Sequence, residues 1–487
     1  MGVENRLFTE KGSLLISFLL GVLAAASFEE PNYFFLFLFS LLGFGFVLDL
    51  GFYKLNFLKG YLFGFGFFLT ATWWLGLLKG FFFLPFLLSS YEALFFALPA
   101  LITRLDFARK HSFRFYRFFL LLFVFEWLRA QGSFGFPWMS SGFYLQGTWF
   151  KNLLFLLGIY GAGFFIFICV ASFLSFVVER NSKQIVLLAF LLAFVLVVSG
   201  INFSISEVKK IKVTLLQGSL LPSEKHEPDP KLRIRLIQGD FLKLVALIPK
   251  KTELVVFPET SFPDVYPFTN LWDSYLKNLA SAKKTLLLIG AETFEKGHYY
   301  NSIVAYNQKG AFERYDKRYL VPFGEYVPFR ENLRFLPLVR NSTDFSFGQR
   351  DAIVKIDSIR FGLGICWESA IPGYGREAAL KGANLLIFST NDNWFLFSNQ
   401  SWAHWRHSKA QADASGLAVV QAANAGITGF YVNGKERYLL PWALSSLEVK
   451  VPLFRPQKEW LFLQKLLEQT LIVITLVFLF FIQVRRI

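Results

Sequence analysis

The sequence predicts a multi-pass α-helical membrane protein of about eight spans that carries one α/β domain outside the bilayer. Three observations predict it. The 487 residues are 54% hydrophobic and only 17% charged, whereas soluble domains carry roughly 25% charged residues. Long apolar runs crowd the chain as far as Ile201 and return at the C-terminus. Between about Lys210 and Phe454, short apolar runs instead alternate with helical patterns, as in a packed α/β sheet.

The apolar runs are Gly12–Phe28, Tyr33–Leu48, Gly60–Leu78, Phe81–Thr103, Phe113–Leu128, Leu153–Val178, Ile185–Ile201 and Thr470–Val484. Several approach the ~20 residues a helix needs to cross a bilayer core of about 30 Å. The first reads as a span, not a cleaved leader: Glu29-Glu30 follow it, no small-x-small site stands out, and more spans come after. The fifth is short and interrupted by Arg117 and Glu126.

Loop charges set the expected orientation. The formal charge is +15. With the N-terminus in the cytoplasm, the inner side collects Arg6, Lys11, Lys54, Lys59, Arg104, Arg109, Lys110, Arg114, Arg117, Arg180, Lys183, Arg485 and Arg486. The outer short loops hold only Lys79, Arg129 and Lys151. Positive-inside asymmetry then places both termini in the cytoplasm and Asn202–Pro456 outside. The basic balance needs no nucleic acid, and the inner clusters could also touch anionic lipid. Residues 1–205 read as a membrane domain, 206–456 as the external domain, and 457–487 as an amphipathic segment with the last span.

In the external domain, the expected strands are Val213–Leu216, Leu254–Phe257, Leu286–Ile289, Ser302–Tyr306, Phe361–Ile365, Leu385–Phe388 and Leu417–Gln421. Helical patterns cover Lys231–Ile248, Trp272–Ala282, Gly375–Lys381 and His404–Ser415. There is no internal repeat.

Several chemistries are absent from the text. The sequence has no P-loop and no G-x-S-x-G, and Gly362-Leu363-Gly364 lacks the third glycine of a dinucleotide fingerprint. His404 and His407 stand i, i+3 on a helix, but no third ligand accompanies them at suitable spacing, so they read as packing or surface residues and no metal is expected. With two Cys in all, a disulfide scaffold is excluded. Cys169 lies inside an apolar span and reads as a small buried hydrophobe.

Cys366 follows the strand pattern Arg360–Ile365, where glycines let the chain turn and a thiol can face a cleft. Alone it reads as a buried structural thiol, and Glu259 and Lys317 alone read as an ion pair. Yet Glu259 stands straight after the apolar run Val255–Phe257, Tyr315-Asp316-Lys317 delivers a lysine and then a second carboxylate at Glu325, and with Cys366 they supply a base, a cation and a nucleophile. A free thiol has a pKa near 8.5 and little thiolate at neutral pH. An ammonium nearby favours the thiolate and stabilises the oxyanion that forms when a carbonyl is attacked. A partly shielded carboxylate can take the thiol proton and return it to a leaving group.

These residues resemble the Glu-Lys-Cys triad of the nitrilase superfamily, and within it the apolipoprotein N-acyltransferase family. The likeness is carried by Leu216-Gln217-Gly218, Phe257-Pro258-Glu259-Thr260, Tyr300-Asn301-Ser302, Asp316-Lys317, Pro322–Pro328, Cys366-Trp367-Glu368, Thr390-Asn391-Asp392 with Trp394-Phe395, and Asn424 with Gly426-Ile427-Thr428. Glu126-Trp127-Leu128-Arg129 and Gly135-Phe136-Pro137-Trp138 extend it into the apolar half. The resemblance implies a four-layer α-β-β-α sandwich and a ping-pong acyl transfer without a cofactor. The donor is a membrane phospholipid and the acceptor the N-terminal amine of a diacylglyceryl-cysteine apolipoprotein. It further implies a monomer in the bacterial inner membrane with its catalytic domain in the periplasm. Glu259, Lys317 and Cys366 are then catalytic, with Glu325, Glu368, Trp367 and Asn301 in support; Lys317 and a backbone N–H near Trp367 would hold the oxyanion. Lys317→Met is expected to block thioester formation and leave the protein folded.

Four positions depart from the family pattern: His226 for Trp, Leu396 for Gly, Ala414 for Glu and Leu417 for Arg. They bear on the substrate-admitting loop, not on the triad. Two other readings compete. One is a membrane-anchored amidase that passes its acyl group to water. The other is a lipid-binding protein with a vestigial triad, against which the scarcity of ionisable residues lined up in the spans also argues.

Overall fold

Where side chains face hydrocarbon, every backbone amide must bond inside the segment, so apolar runs fold as helices. The computed structural model describes residues 9–78, 82–201, 203, 205–225, 227–334 and 344–484; Arg6, Lys79, His226, Arg485 and Arg486 lie outside the described residues. The chain divides into two units, Met1–Asn202 with Leu463–Ile487, and Phe203–Phe462.

In the first unit the helices are Glu10–Ala26, Phe34–Asp49, Asn56–Thr72, Leu84–Ile102, Arg114–Arg129, Asn152–Glu179 and Lys183–Gly200. A last helix, Lys458–Val484, begins a dozen residues before the apolar run that marks it in the sequence. Among the described residues, six helical stretches are long and apolar enough to cross a membrane. The Glu10–Ala26 and Arg114–Arg129 helices, of 17 and 16 residues, are shorter.

The charges that interrupt the Arg114–Arg129 helix are paired. Arg117 meets Asp106 at 2.6 Å. Glu126 accepts from the backbone N–H of Ser141 at 2.9 Å and from its hydroxyl at 2.8 Å. Arg114 reaches Asp49 at 2.6 Å and Glu179 at 2.7 Å, and Lys110 reaches Asp49 at 2.9 Å. Three members of the basic cluster are thus engaged with carboxylates within the protein.

The Asn152–Glu179 helix is broken at Gly158, whose φ of +74° leaves the helical region. A break frees backbone groups that lipid cannot satisfy. Glu468 accepts the freed N–H of Tyr160 at 2.9 Å, and Gln464 donates to the carbonyls of Leu154 and Phe155 at 3.2 and 2.7 Å. Two polar residues that look merely amphipathic in sequence therefore serve a kink some three hundred residues upstream.

The second unit contains two six-stranded sheets, ordered β12-β1-β2-β3-β4-β5 and β11-β10-β9-β8-β7-β6. The first is built from β1 (Glu207–Gln217), β2 (Leu254–Val256), β3 (Leu286–Glu295), β4 (His298–Asn307), β5 (Gly310–Asp316) and β12 (Ser445–Phe454). The second holds β6 (Ile353–Ile356), β7 (Ile359–Ile365), β8 (Leu385–Asn391), β9 (Val419–Asn424), β10 (Thr428–Val432) and β11 (Lys435–Leu439). Each sheet has a parallel centre, β1-β2-β3 and β7-β8-β9, with antiparallel strands outside it.

All six parallel strands are among those expected from sequence, because both faces are buried and they read as unbroken apolar runs; the seventh expected strand, Ser302–Tyr306, is the buried half of antiparallel β4. The strands missed (β5, β6, β10, β11 and β12) are antiparallel and lack a continuous apolar run: Glu313 and Arg314 interrupt β5, β11 is almost wholly exposed, and β12 alternates buried with exposed residues over its middle. Helices Pro230–Ala246 and Asn270–Lys283 pack on the first sheet through Phe241, Leu244, Leu276 and Ala280. Helices Tyr374–Leu380 and Gln400–Ser415 belong to the second.

The sheets are stitched together where their central strands end. Gly218 bridges the gap by two backbone hydrogen bonds, its N–H donating to Ala423 O at 3.2 Å and its carbonyl accepting from Ala425 N at 2.8 Å, and the Ser389 hydroxyl donates to Phe257 O at 2.8 Å. The carboxyl ends of both parallel triads therefore meet. Open α/β sheets place their ligands at such ends.

Candidate active site

Each of the three residues singled out from the sequence follows the last residue of a strand by one to three positions: Glu259 after β2, Lys317 after β5 and Cys366 after β7. Local packing explains why the first two are held there. A Cβ on Gly290 of β3 would stand 2.1 Å from the carbonyl oxygen of Pro258, so only glycine lets the Glu259 segment lie against that strand. A Cβ on Gly348 would come within 2.0 Å of the Asp316 carbonyl, and the Gly348 N–H donates to Lys317 O at 2.8 Å.

Lys317 is buried at 1% exposure and lies between two carboxylates. Its Nζ is 2.9 Å from Glu325 Oε1 and 3.5 Å from Glu259 Oε1. Asn301, on β4, donates from Nδ2 to both of these oxygens, at 2.6 Å to Glu259 and 2.8 Å to Glu325. The second oxygen of Glu325 accepts from Val321 N at 2.8 Å. Burial by itself would push the ammonium down, but Glu325, Glu259 and Cys366 outweigh it and hold Lys317 above its ordinary value, so it stays a cation.

Cys366 opens a 3₁₀ turn, Cys366–Ala370, with a φ of +50°. That left-handed conformation is unfavourable for a residue with a Cβ and aims the side chain off the strand axis. Burial raises the thiol pKa well above its ordinary value; Glu259, Asp392 and Glu325 raise it further, and Lys317 opposes them. The neighbouring ammonium alone would favour thiolate, but burial and the three carboxylates outweigh it. The resting sulfur here is a thiol, which becomes a nucleophile only where a base takes its proton.

Glu368, two residues on, has a different task. Its carboxylate accepts from Ile365 N at 2.8 Å, Arg318 N at 2.9 Å, Tyr319 N at 3.2 Å and the hydroxyls of Tyr315 and Tyr374 at 2.7 and 3.1 Å. It ties the end of β5, which carries Lys317, to the end of β7, which carries Cys366. Trp367, between them, is buried at 8% exposure.

Two residues at the site were not given roles from sequence. His404 is fully buried; its Nδ1 is 2.8 Å from Asp392 Oδ1 and its Nε2 2.9 Å from the carbonyl oxygen of Cys366. Sequence spacing looked for ligands near His404 and His407, whereas β7 and β8 bring Cys366 and Asp392 to it from elsewhere. The Cys366 Sγ, an Asp392 oxygen and a His404 ring nitrogen lie within 4.8 Å of one another, a donor set able to take a metal ion among the described residues. Both His404 nitrogens already have partners, so a cation there would displace one. The second residue is Lys225, whose Nζ donates to Thr260 Oγ1 at 2.5 Å and to Glu259 O at 3.3 Å. Burial pushes it down to about 8 against the pull of Glu259, Glu292, Asp240 and Cys366.

The comparisons with known proteins bear on both units. Residues 20–172 match the family model of the apolipoprotein N-acyltransferase N-terminal domain, and residues 235–448 that of carbon-nitrogen hydrolases. The apolipoprotein N-acyltransferase of Geobacter metallireducens is 32% identical over 363 residues, covering 70% of this chain and 68% of its own length. The chain belongs to the apolipoprotein N-acyltransferase family. The same-named protein of Haemophilus influenzae is 28% identical over 461 residues, 88% of this chain and 85% of that one. That of Methylococcus capsulatus is 28% identical over 326 residues, and this chain spans 61% of its length. Among solved structures, a carbon-nitrogen hydrolase from Helicobacter pylori covers 54% of this chain and 93% of its own at 18% identity, with a TM-score of 0.35.

One departure from the family pattern now has a structural meaning. Leu396 has a φ of +50°, the region that favours glycine, so the residue usual there suits a backbone that Leu adopts under strain. Ala414 and Leu417 are both buried at 2% exposure.

The Glu368 network carries a prediction of its own. Glu368→Ala removes five hydrogen-bonded contacts from a buried carboxylate and strands their donors. A loss of about 3–5 kcal/mol is expected, read as a lower thermal midpoint of the full chain in detergent. An unchanged midpoint would deny that Glu368 braces the two strand ends.

Proposed function

We propose that the protein transfers an acyl chain from a membrane phospholipid to the N-terminal amine of a diacylglyceryl-cysteine apolipoprotein, through a thioester on Cys366. The observation that carries this is the arrangement of Lys317 between Glu259 and Glu325, beside the Cys366 turn, in a chain of this family. Glu259 takes the Sγ proton as sulfur bonds to the ester carbonyl carbon. Lys317 and the Trp367 N–H stabilise the oxyanion. The ester C–O bond then breaks, and lysophospholipid leaves as an alcohol with the proton from Glu259. In the second half, the free α-amine attacks the thioester, an amide forms, and the proton returns to Cys366 by way of Glu259.

Asn301 and Glu325 position Glu259 and Lys317; no cofactor enters either half-reaction. The stitched sheets with a helix layer on each outer side support a four-layer α-β-β-α sandwich for residues 206–456. The 16- and 17-residue helices, added to the six longer stretches, support eight spans. We place the catalytic domain in the periplasm of a bacterial inner membrane and both termini in the cytoplasm, on the loop-charge asymmetry, and take the working form to be a monomer.

The test is peptide-mass analysis of the purified full chain after incubation with phospholipid. An acyl-sized increase on the Cys366 peptide, removed by hydroxylamine and absent in Glu259→Ala, is expected. Appearance of the labelled chain as free fatty acid, with none reaching a diacylated lipopeptide amine, would replace acyl transfer by hydrolysis.

A further inference from the structure

His404 contributes no atom to the scheme above, yet both its ring nitrogens are committed. Nδ1 faces an Asp392 carboxylate oxygen at 2.8 Å, and Nε2 faces the Cys366 carbonyl oxygen at 2.9 Å. Ionised carboxylate and carbonyl are both acceptors. A neutral imidazole has a single N–H and satisfies only one of them, whereas an imidazolium satisfies both. His404 and Asp392 are fully buried. The titratable and charged groups around the ring come from four elements: Asp392 after β8, Glu259 after β2, the neutral thiol residue Cys366 after β7, and Arg406 and His407 on its own helix. Burial opposes the charge on His404, but Asp392 and the two hydrogen bonds outweigh it and raise the ring above its ordinary value.

The carbonyl that His404 holds belongs to the same peptide unit as the N–H of Trp367. A cation bonded to the oxygen of an amide draws electron density from its nitrogen, and hydrogen bonds in such a chain reinforce one another. The unit also follows a cysteine in the left-handed region, φ +50°, a conformation that persists only when its surroundings fix it.

We propose that His404, kept as an imidazolium by Asp392, is a positioning residue that fixes and polarises the Cys366–Trp367 peptide so that its N–H stabilises the acyl-transfer oxyanion. The inference rests on the acylation of Cys366 proposed above, and its test separates the two. Two reactions of the same thiol are compared in the full chain with phospholipid present. Acylation by phospholipid builds an oxyanion, whereas alkylation by iodoacetamide does not. In His404→Gln, which keeps a neutral donor, acylation is expected to fall about 10- to 100-fold while alkylation stays within about threefold. Asp392→Asn should shift the two rates in the same sense.

Equal loss of both rates would make His404 a mere support of the thiol and overturn the proposal, as would no loss of either. A wild-type chain that alkylates but never acylates would instead overturn the acylation reading. Should His404→Gln fail to fold, the wild-type protein answers alone. With its five histidines 15N-labelled, one ring should keep both nitrogens protonated as the pH rises past the ordinary histidine value. No ring in that state would overturn the inference.

Discussion

Glu259→Gln is expected to slow acylation of Cys366 by about 10²- to 10⁴-fold, the usual worth of a positioned base, and to leave the fold intact. Gln keeps an oxygen where Asn301 Nδ2 donates at 2.6 Å, and Lys317 keeps Glu325 at 2.9 Å. What is lost is the acceptor for a proton on a thiol that burial and three carboxylates hold well above its ordinary pKa. The variant then depends on the small thiolate fraction present in solution. Below the Cys366 pKa that fraction grows about tenfold per pH unit, so the variant's acylation should climb steeply with pH where the wild type climbs less. Mass-resolved time courses at several pH values measure both. Equal rates in variant and wild type would remove Glu259 from the proton path.

The second large effect is on Lys317, and it adds a stability cost to the expectation that Lys317→Met leaves the protein folded. The ammonium is buried between Glu259 and Glu325, whose Oε1 atoms share one Asn301 donor. Removing it leaves two buried carboxylates facing each other without a counter-charge. Breaking a buried pair in this way costs about 3–5 kcal/mol, so loss of acylation in Lys317→Met should come with a clear drop in thermal midpoint. Adding Glu325→Gln removes one of the stranded charges and should return much of the stability but none of the acylation. Recovery of acylation in the double variant would show that Lys317 serves only to balance charge. A Lys317→Met chain as stable as wild type would contradict the burial and pairing described here.

Composition and periodicity alone determined that this is a helical membrane protein with an α/β domain, because twenty-residue apolar runs and short buried parallel strands leave few other solutions. Glu259 and Cys366 were legible because each sits where an apolar run stops, and strand ends of parallel sheets are where side chains converge; Lys317, after the unrecognised β5, was legible only through the motif Asp316-Lys317 with Pro322–Pro328. The outer strands β5, β6, β10, β11 and β12 were not, since a short strand without a continuous apolar run is a weak signal without its partners.

Tertiary structure alone decided the rest. It paired Arg117 with Asp106 and capped the break at Gly158 with Glu468 and Gln464. It also turned Glu368 into a brace between two strand ends and brought His404 and Asp392 behind the Cys366 peptide. Each of these joins residues far apart in the chain, and what a buried charge or freed amide requires is set by the partner that folding brings to it.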